Sequence, residues 1–520
     1  MQKPKILVLQ LSRYGDILMT LPLLEKLKKK YFVYLMINQI FADFPEINNY
    51  CDILIPVNFN DFYLKFSSLN LFESIKIFSE FILKLNSYNF DLILNLSSQP
   101  ISAVITTIVN ANKKFGLAVL FDRSFGESGK NVAFYFEMAE VKKYNWLHQS
   151  DIFKTVLDDE FFDYNHSIYF SKINNDILKK YNIELNEDEK IIGLQIGASL
   201  DKKEYSINNF DKLISLLNER IKTKIILFGS KNEIEKNKIL SKKYSNIISL
   251  VGKTDLFDLI SILSKLDLLI TNDTGTMHFA AAVKTKIINI STGSAFFPET
   301  TAYSSDNFII IPSLECYPCT PNFICSHQNC KYSINPQIIV FLALYLLLND
   351  NEYLSKINYD FIYKTKFLDD GYLFFYPLKR RVINDFEFFG WFYHNFWKAF
   401  FKNNKFNFTK NISELENYYY LNNEKINLFL ESIKLYFEKL KMLEMILVNI
   451  NENNIKSKIM LFNQYFNDLQ NFGNNEKFLL PLQKYLSVRF HSINTDNIFV
   501  IIKIYYEIIN QLTNVIEITE

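Results

Sequence analysis

Short apolar runs alternate along this chain with stretches whose apolar residues recur at helical spacing, and the alternation occurs twice. Lys5–Leu11 (KILVLQL) has the continuous hydrophobicity of a buried parallel strand, and from Asp16 onward Ile17, Leu18, Leu21, Leu24 and Leu27 repeat with a helical period. Further strands are expected at Phe32–Ile37, Asp52–Val57 and Phe90–Leu96, with helices near Leu71–Leu85 and Ile101–Ala111. The mixed, glycine-containing stretch Phe115–Glu140 reads as loops over a site, and Asn145–Phe170 as a connection with a helix near Ser150–Val156. A second series follows, with strands at Ile191–Ile196, Lys224–Phe228, Ile247–Val251, Leu266–Ile270 and Lys286–Ile290. Its helices lie near Ile207–Arg220, Glu233–Lys242, Leu256–Leu266 and Thr274–Ala282. Strands alternating with helices predict parallel sheets with crossover connections. The expectation is two α/β domains, residues 1–165 and 185–348, facing one another across a cleft.

Beyond Asn349 the pattern changes. Tyr353–Phe401 is densely aromatic, and Ile412–Glu520 has helical apolar spacing broken by Asn-rich segments such as NENN and NNEK. Leu428, Ile433, Tyr436, Leu440, Leu443, Ile446 and Val448 read as one packed helix face. Residues 350–520 are therefore expected to form a mainly helical extension. Its density of aromatic residues suits an oligomer or acceptor contact as well as a core.

Composition narrows the function class. With 49% hydrophobic and 22% charged residues the chain has ample material for cores. Lys+Arg 57 against Asp+Glu 56 leaves a net charge of +1, so no global field points to nucleic acid. The N-terminal residues lack the layout of a signal peptide, and no apolar run approaches the roughly 20 residues of a spanning helix. The expected location is the cytoplasm, at most peripheral at the inner face of the membrane. Cys51 stands alone, whereas Cys316, Cys319, Cys325 and Cys330 form a C-x2-C-x5-C-x4-C cluster with His327 inside it. In a reducing compartment four such thiolates suit a structural zinc or iron, with free thiols in a loop as the alternative.

Candidate chemistry collects where strands end and helices begin. Gly15–Asp16 falls at the carboxyl end of the first strand, where open α/β sheets place ligands; Asp16 would also cap the helix. In the second series the turn Gly197-Ala198-Ser199-Leu200-Asp201-Lys202-Lys203 pairs small residues, which let backbone approach a phosphate, with ammonium groups that neutralise it. Phe228-Gly229-Ser230 leads to Glu233, an acceptor for a ribose or base that would equally complement a helix dipole. Thr271–Ala282 (TNDTGTMHFAAA) reads as strand, tight turn and helix start, with free N–H groups facing outward as an anion site.

Taken together, LSRYGDILMTLPLL, GASLDKK, FGSKNE and NDTGTMHFAAA resemble glycosyltransferase family 9, the heptosyltransferases that use an ADP-activated heptose in lipopolysaccharide assembly. The resemblance spans roughly residues 4–345. It implies the GT-B arrangement of two Rossmann-like domains, the first holding the acceptor and the second the nucleotide-sugar. Asp16 then matches the general base, Ser199 and Lys203 the diphosphate contacts, and Glu233 the acidic residue near the nucleoside. Asp273, Thr274, Gly275 and His278 match the donor-binding signature. The resemblance implies inverting transfer with no metal needed for catalysis, and an acceptor that is a glycan, a lipid-linked glycan or a protein. Related sequences carry similar cysteine runs, which bind iron in a protein-modifying branch. Lys203-Glu204-Tyr205-Ser206 departs from the usual Lys-Arg/His-Trp-Pro, Arg13-Tyr14 replaces smaller residues, and residues 350–520 have no counterpart in plain heptosyltransferases. A protein-modifying transferase and a catalytically silent nucleotide-sugar-binding scaffold, with oligomerisation through the extension, remain open alternatives.

Overall fold

The computed structural model describes residues 3–44, 46–59, 67, 70–120, 125–137, 142–157, 161–164, 170, 172–320, 323–448, 450, 454–491 and 497–517. It has the α/β architecture expected: two sheets facing a cleft, followed by a largely helical C-terminal region.

The first sheet contains β1 (Lys5–Leu9), β2 (Phe32–Asn38), β3 (Ile53–Val57), β4 (Phe90–Asn95), β5 (Ala111–Val119) and β6 (Phe125–Ser128), in the order β3-β2-β1-β4-β5-β6. Its central strand is apolar on both faces, and Ile6, Leu7, Val8 and Leu9 are fully buried because helices cover both sides. Strand order reverses between β1 and β4, which opens a crevice at their carboxyl ends. From β1 the chain enters α1 (Tyr14–Lys30); α2 (Leu71–Asn86) and α3 (Pro100–Ile108) complete the crossovers around β4.

The second sheet is built from β7 (Lys190–Gln195), β8 (Thr223–Phe228), β9 (Ile247–Ser249), β10 (Leu268–Asn272), β11 (Ile287–Ile290), β12 (Phe308–Ile310), β13 (Ile362–Phe367) and β14 (Leu373–Pro377). Its order is β14-β13-β12-β11-β10-β7-β8-β9, with the reversal between β7 and β10. Helices α4 (Ile207–Asn218), α5 (Ile234–Lys243), α6 (Leu256–Leu263) and α7 (Gly275–Ala282) link the strands, and α8 (Pro336–Leu348) packs beside α4.

Three expectations need correction. Phe115–Glu140 is not a set of loops: β5 pairs in parallel with β4, β6 returns antiparallel to β5, and a helix follows at Lys130–Glu137. The strand was hard to see because three consecutive polar residues, Asn112, Lys113 and Lys114, interrupt its apolar run. Residues 121–124 and 138–140 of that stretch, and 158–160 and 165–169 of the connection, lie outside the described residues.

The second correction concerns residue 350, where the second sheet does not end. β13 pairs antiparallel with β12, placing Ile309 opposite Tyr363, and β14 pairs with β13. Both strands come from the expected extension. The aromatic helix α9 (Asp385–Phe401) then buries Trp391, Phe392, Phe396, Trp397 and Phe400 inside the chain's own core. Trp146, from the connection between the domains, lies against Gly390, where a Cβ would sit 2.2 Å from the indole Nε1.

The third correction lies on α10 (Asn423–Val448), where Ile433, Tyr436, Leu440, Leu443 and Ile446 are buried but Leu428 and Val448 are exposed. At about 100° per residue those two lie roughly a quarter-turn or more from the centre of the buried stripe. Among the described residues no helix is long and apolar enough to cross a membrane.

Because β13, β14 and α9 complete a shared core, a chain ending at residue 350 should lose cooperative thermal unfolding and soluble yield. A truncated chain that melts cooperatively at the full-length Tm would contradict this role.

Candidate active site

At the reversal of the first sheet the chain leaves β1 and starts α1, with Arg13 as N-cap. Asp16, in the first turn, accepts the Arg13 backbone N–H on Oδ2 at 3.1 Å. It therefore caps the helix and still lines the cleft. Burial raises the pKa of its carboxyl above the ordinary value, with neighbouring Asp273 adding to the effect and Arg13 opposing it.

At the reversal of the second sheet, Asn272 organises the turn that follows β7. Its Nδ2 donates to the Ile196 carbonyl at 2.6 Å, and its Oδ1 accepts the Tyr205 N–H at 2.9 Å, holding both ends of residues 196–205. Gly197 sits at the floor of this turn because the Glu233 carboxylate fills the space a side chain would need; a Cβ would lie 1.3 Å from Oε1. Glu233 accepts the Ser230 N–H and hydroxyl at 2.6 and 2.8 Å, so the carboxylate is pinned over the turn.

Lys203 reaches back from the turn to Asp273, with Nζ 2.8 Å from Oδ2 and side chains only 16% and 8% exposed. Burial works against its ammonium, but the Asp273 carboxylate outweighs that and holds its pKa above the ordinary lysine value. Thr274 is the N-cap of α7 yet makes no capping hydrogen bond through its side chain, and it lines the cleft together with Gly275 and Thr276, the first two residues of the helix.

The two halves meet in one place. Gly15 abuts the imidazole of His278, where a Cβ would lie 3.0 Å from Cδ2, and the Arg13 Nη1 donates across to Ser199 Oγ at 3.0 Å. Burial lowers the His278 pKa to about 4, so the ring is neutral near pH 7. The cleft between the sheets has a volume of about 770 Å³. Asp16, Ser199, Lys203, Glu233, Asp273, Thr274, Gly275 and His278, read from four separate motifs, all line it.

Residues 79–328 match glycosyltransferase family 9 (heptosyltransferase). The similarity to this family covers just under half of the chain. A lipooligosaccharide heptosyltransferase 2 from Campylobacter jejuni subsp. jejuni serotype O:2 is 30% identical over 177 residues, which are 32% of this chain and 54% of that protein. The chain thus spans about half the length of the curated relatives it matches. Among solved structures, Escherichia coli ADP-heptose LPS heptosyltransferase II aligns at 16% identity with a TM-score of 0.47, covering 66% of this chain and 99% of that one. A family 9 glycosyl transferase from Veillonella parvula aligns at 18% identity with a TM-score of 0.49, covering 67% and 98%. The family match includes Ser199, Lys203, Glu233 and the turn at Asp273–His278, while Asp16 precedes it.

The four clustered cysteines are not among the residues lining the cleft. All are free thiols, and burial raises the pKa of Cys319 and Cys330. They are close enough to influence one another electrostatically. Among the described residues, however, no three His, Cys, Asp or Glu side chains are gathered so as to hold a metal ion, so the arrangement does not fit the zinc or iron that the spacing suits.

Sequence reading missed several residues of the site. Tyr14 donates to Asp43 at 2.7 Å on the first-domain wall, and Thr300 reaches Asp273 at 3.5 Å. Only the position of Tyr14 beside Gly15 carried a signal.

His148 is likewise fully buried, with its pKa lowered to about 4 by desolvation. Unfolding raises both His148 and His278 toward the ordinary value of about 6.5, so the unfolded chain binds more protons between these limits and stability is lost as the pH falls from 6.5 to 4. Each should remove about 3 kcal/mol between pH 6.5 and 4. Urea midpoints across that range should show the fall, with a shallower slope in His278→Gln; identical slopes would contradict the assignment for His278.

Proposed function

We propose that this chain is an inverting glycosyltransferase that moves a heptose-like sugar from an ADP-activated donor to a hydroxyl acceptor in lipopolysaccharide or surface-glycan assembly. The observation that carries the reading is the convergence of Asp16 with the Lys203–Asp273 pair and the start of α7 on one cleft. Attack by an acceptor hydroxyl needs a base on one side of the sugar and stabilisation of a departing diphosphate on the other. Asp16 takes the proton. Its raised pKa strengthens it as a base.

The second domain holds the leaving group. Lys203, Ser199 and the N–H groups at the start of α7 receive the diphosphate, and Glu233 lies toward the nucleoside. Arg13, already hydrogen-bonded to Ser199, adds a cation from the opposite wall. His278, neutral and held against Gly15, contributes a hydrogen-bonding ring without a competing charge. These groups neutralise the leaving diphosphate. The acceptor, a glycan, lipid-linked glycan or protein, enters past Tyr14, Met19 and Asp43.

Incubation with a panel of nucleotide sugars, followed by mass spectrometry, should show transfer from ADP-heptose. Asp16→Asn should lower kcat by about 10²- to 10⁴-fold while ADP affinity in calorimetry stays within about twofold. Near-normal turnover in that variant would sink the assignment of the base.

A further inference from the structure

The first-domain wall of the cleft carries a pair of side chains that the transfer step itself does not use. Tyr14, the first residue of α1, and Asp43, between β2 and β3, line the same cleft as Asp16. The Tyr14 hydroxyl donates to Asp43 Oδ1 at 2.7 Å and lies 3.3 Å from the Ile40 carbonyl. Its ring is held from two directions. It stands close to edge-on against Phe41, with centroids 4.6 Å apart, and against Phe279 of α7 at 5.7 Å. Tyr14 therefore joins α1 to α7 through its ring while its hydroxyl fixes the direction of Asp43, whose side chain is exposed.

The charges of the cleft divide unevenly between its two sides. On the second-domain side the carboxylates are engaged within the protein: Asp273 pairs with Lys203 at 2.8 Å, Glu233 accepts the Ser230 N–H, and Asp255 Oδ1 accepts the Asp258 N–H at 2.7 Å at the start of α6. On the first-domain side the charged residues that line the cleft are, among the described residues, Arg13, Asp16 and Asp43. The Arg13 guanidinium reaches across to Ser199, on the donor side. Two carboxylates are thus left facing the acceptor's place, and an anionic group set beside them would meet like charge. A carboxylate that accepts one hydroxyl keeps lone pairs for others, and hydrogen bonds to an ionised acceptor are the stronger kind.

We propose that Asp43, directed by Tyr14, accepts hydrogen bonds from hydroxyls beside the one that is attacked, and so selects an uncharged sugar as the acceptor. The proposal rests on the reading of Asp16 as the base and of the second domain as the donor side. Asp43 binds the acceptor and takes no proton from it. Tyr14 is a positioning residue that acts through Asp43. A side-chain hydroxyl of a protein would bring one donor, which Asp16 would use, and would leave Asp43 with nothing to hold.

The test uses the full-length protein saturated with ADP and a panel of paired probes, neutral methyl glycosides and the corresponding methyl uronides, with binding followed by ligand-observed NMR. The best neutral glycoside should bind about tenfold or more tightly than its uronide. Asp43→Asn should weaken that glycoside about tenfold and narrow its advantage over the uronide, a change of preference that loss of packing alone would not produce. Tyr14→Phe, which keeps the ring, should do the same to a smaller extent. ADP affinity in calorimetry should stay within about twofold in both variants. A uronide bound as tightly as its neutral partner, an unchanged preference in Asp43→Asn, or no binding by any glycoside would overturn the proposal. Failure of the unsubstituted protein to bind ADP would instead overturn the donor-side reading on which it rests.

Discussion

The architecture depends on one close approach, that of Gly15 at the start of α1 to the His278 ring on α7. The two parallel sheets each present a reversal of strand order at their carboxyl ends, and a ligand site in such sheets lies just outside those ends. What turns two half-sites into one is the distance between them. With no Cβ at Gly15, α1 and α7 come together at their starts, so Asp16 and the turn at Asp273 open into the same cleft. A larger residue there would have to push the ring or the helix aside, and both carry groups that line the site.

The second sheet sets its own geometry with polar side chains rather than apolar ones. Asn272 holds residues 196–205, Glu233 occupies the space above Gly197, and Lys203 is pulled toward Asp273. Each of these contacts joins the end of one strand to the turn after another. Buried polar groups of this kind are stable only when their hydrogen bonds are met, which gives the turn a single arrangement before any ligand arrives. The C-terminal half contributes in the same way: β13 and β14 complete the sheet, and α9 fills the space around Trp146. A region that reads as an appendage is thus built into the same core as the cleft.

Much of the fold was legible because parallel strands buried on both faces leave continuous apolar runs, as in Lys5–Leu9 and Leu268–Asn272. β5 was not, since Asn112, Lys113 and Lys114 interrupt its apolar run, and β13 and β14 lie in a stretch whose many aromatic residues mask the strand pattern. The site residues on turns were readable from glycine, small residues and helix starts. Asn272 was not, because its role comes from buried hydrogen bonds to residues more than 60 positions away, which leave no local pattern. The cysteine spacing shows the opposite case: it was plain in sequence, yet the side chains are not gathered as a ligand set.

The central claim, that the second domain holds a nucleotide diphosphate facing Asp16, is tested most directly by a crystal structure with ADP bound. The account predicts the diphosphate at Ser199, Lys203 and the start of α7, with the adenosine toward Glu233 and the terminal phosphate on the side of Asp16. A nucleotide bound outside this cleft, or one with its adenosine packed against Asp16, would contradict it.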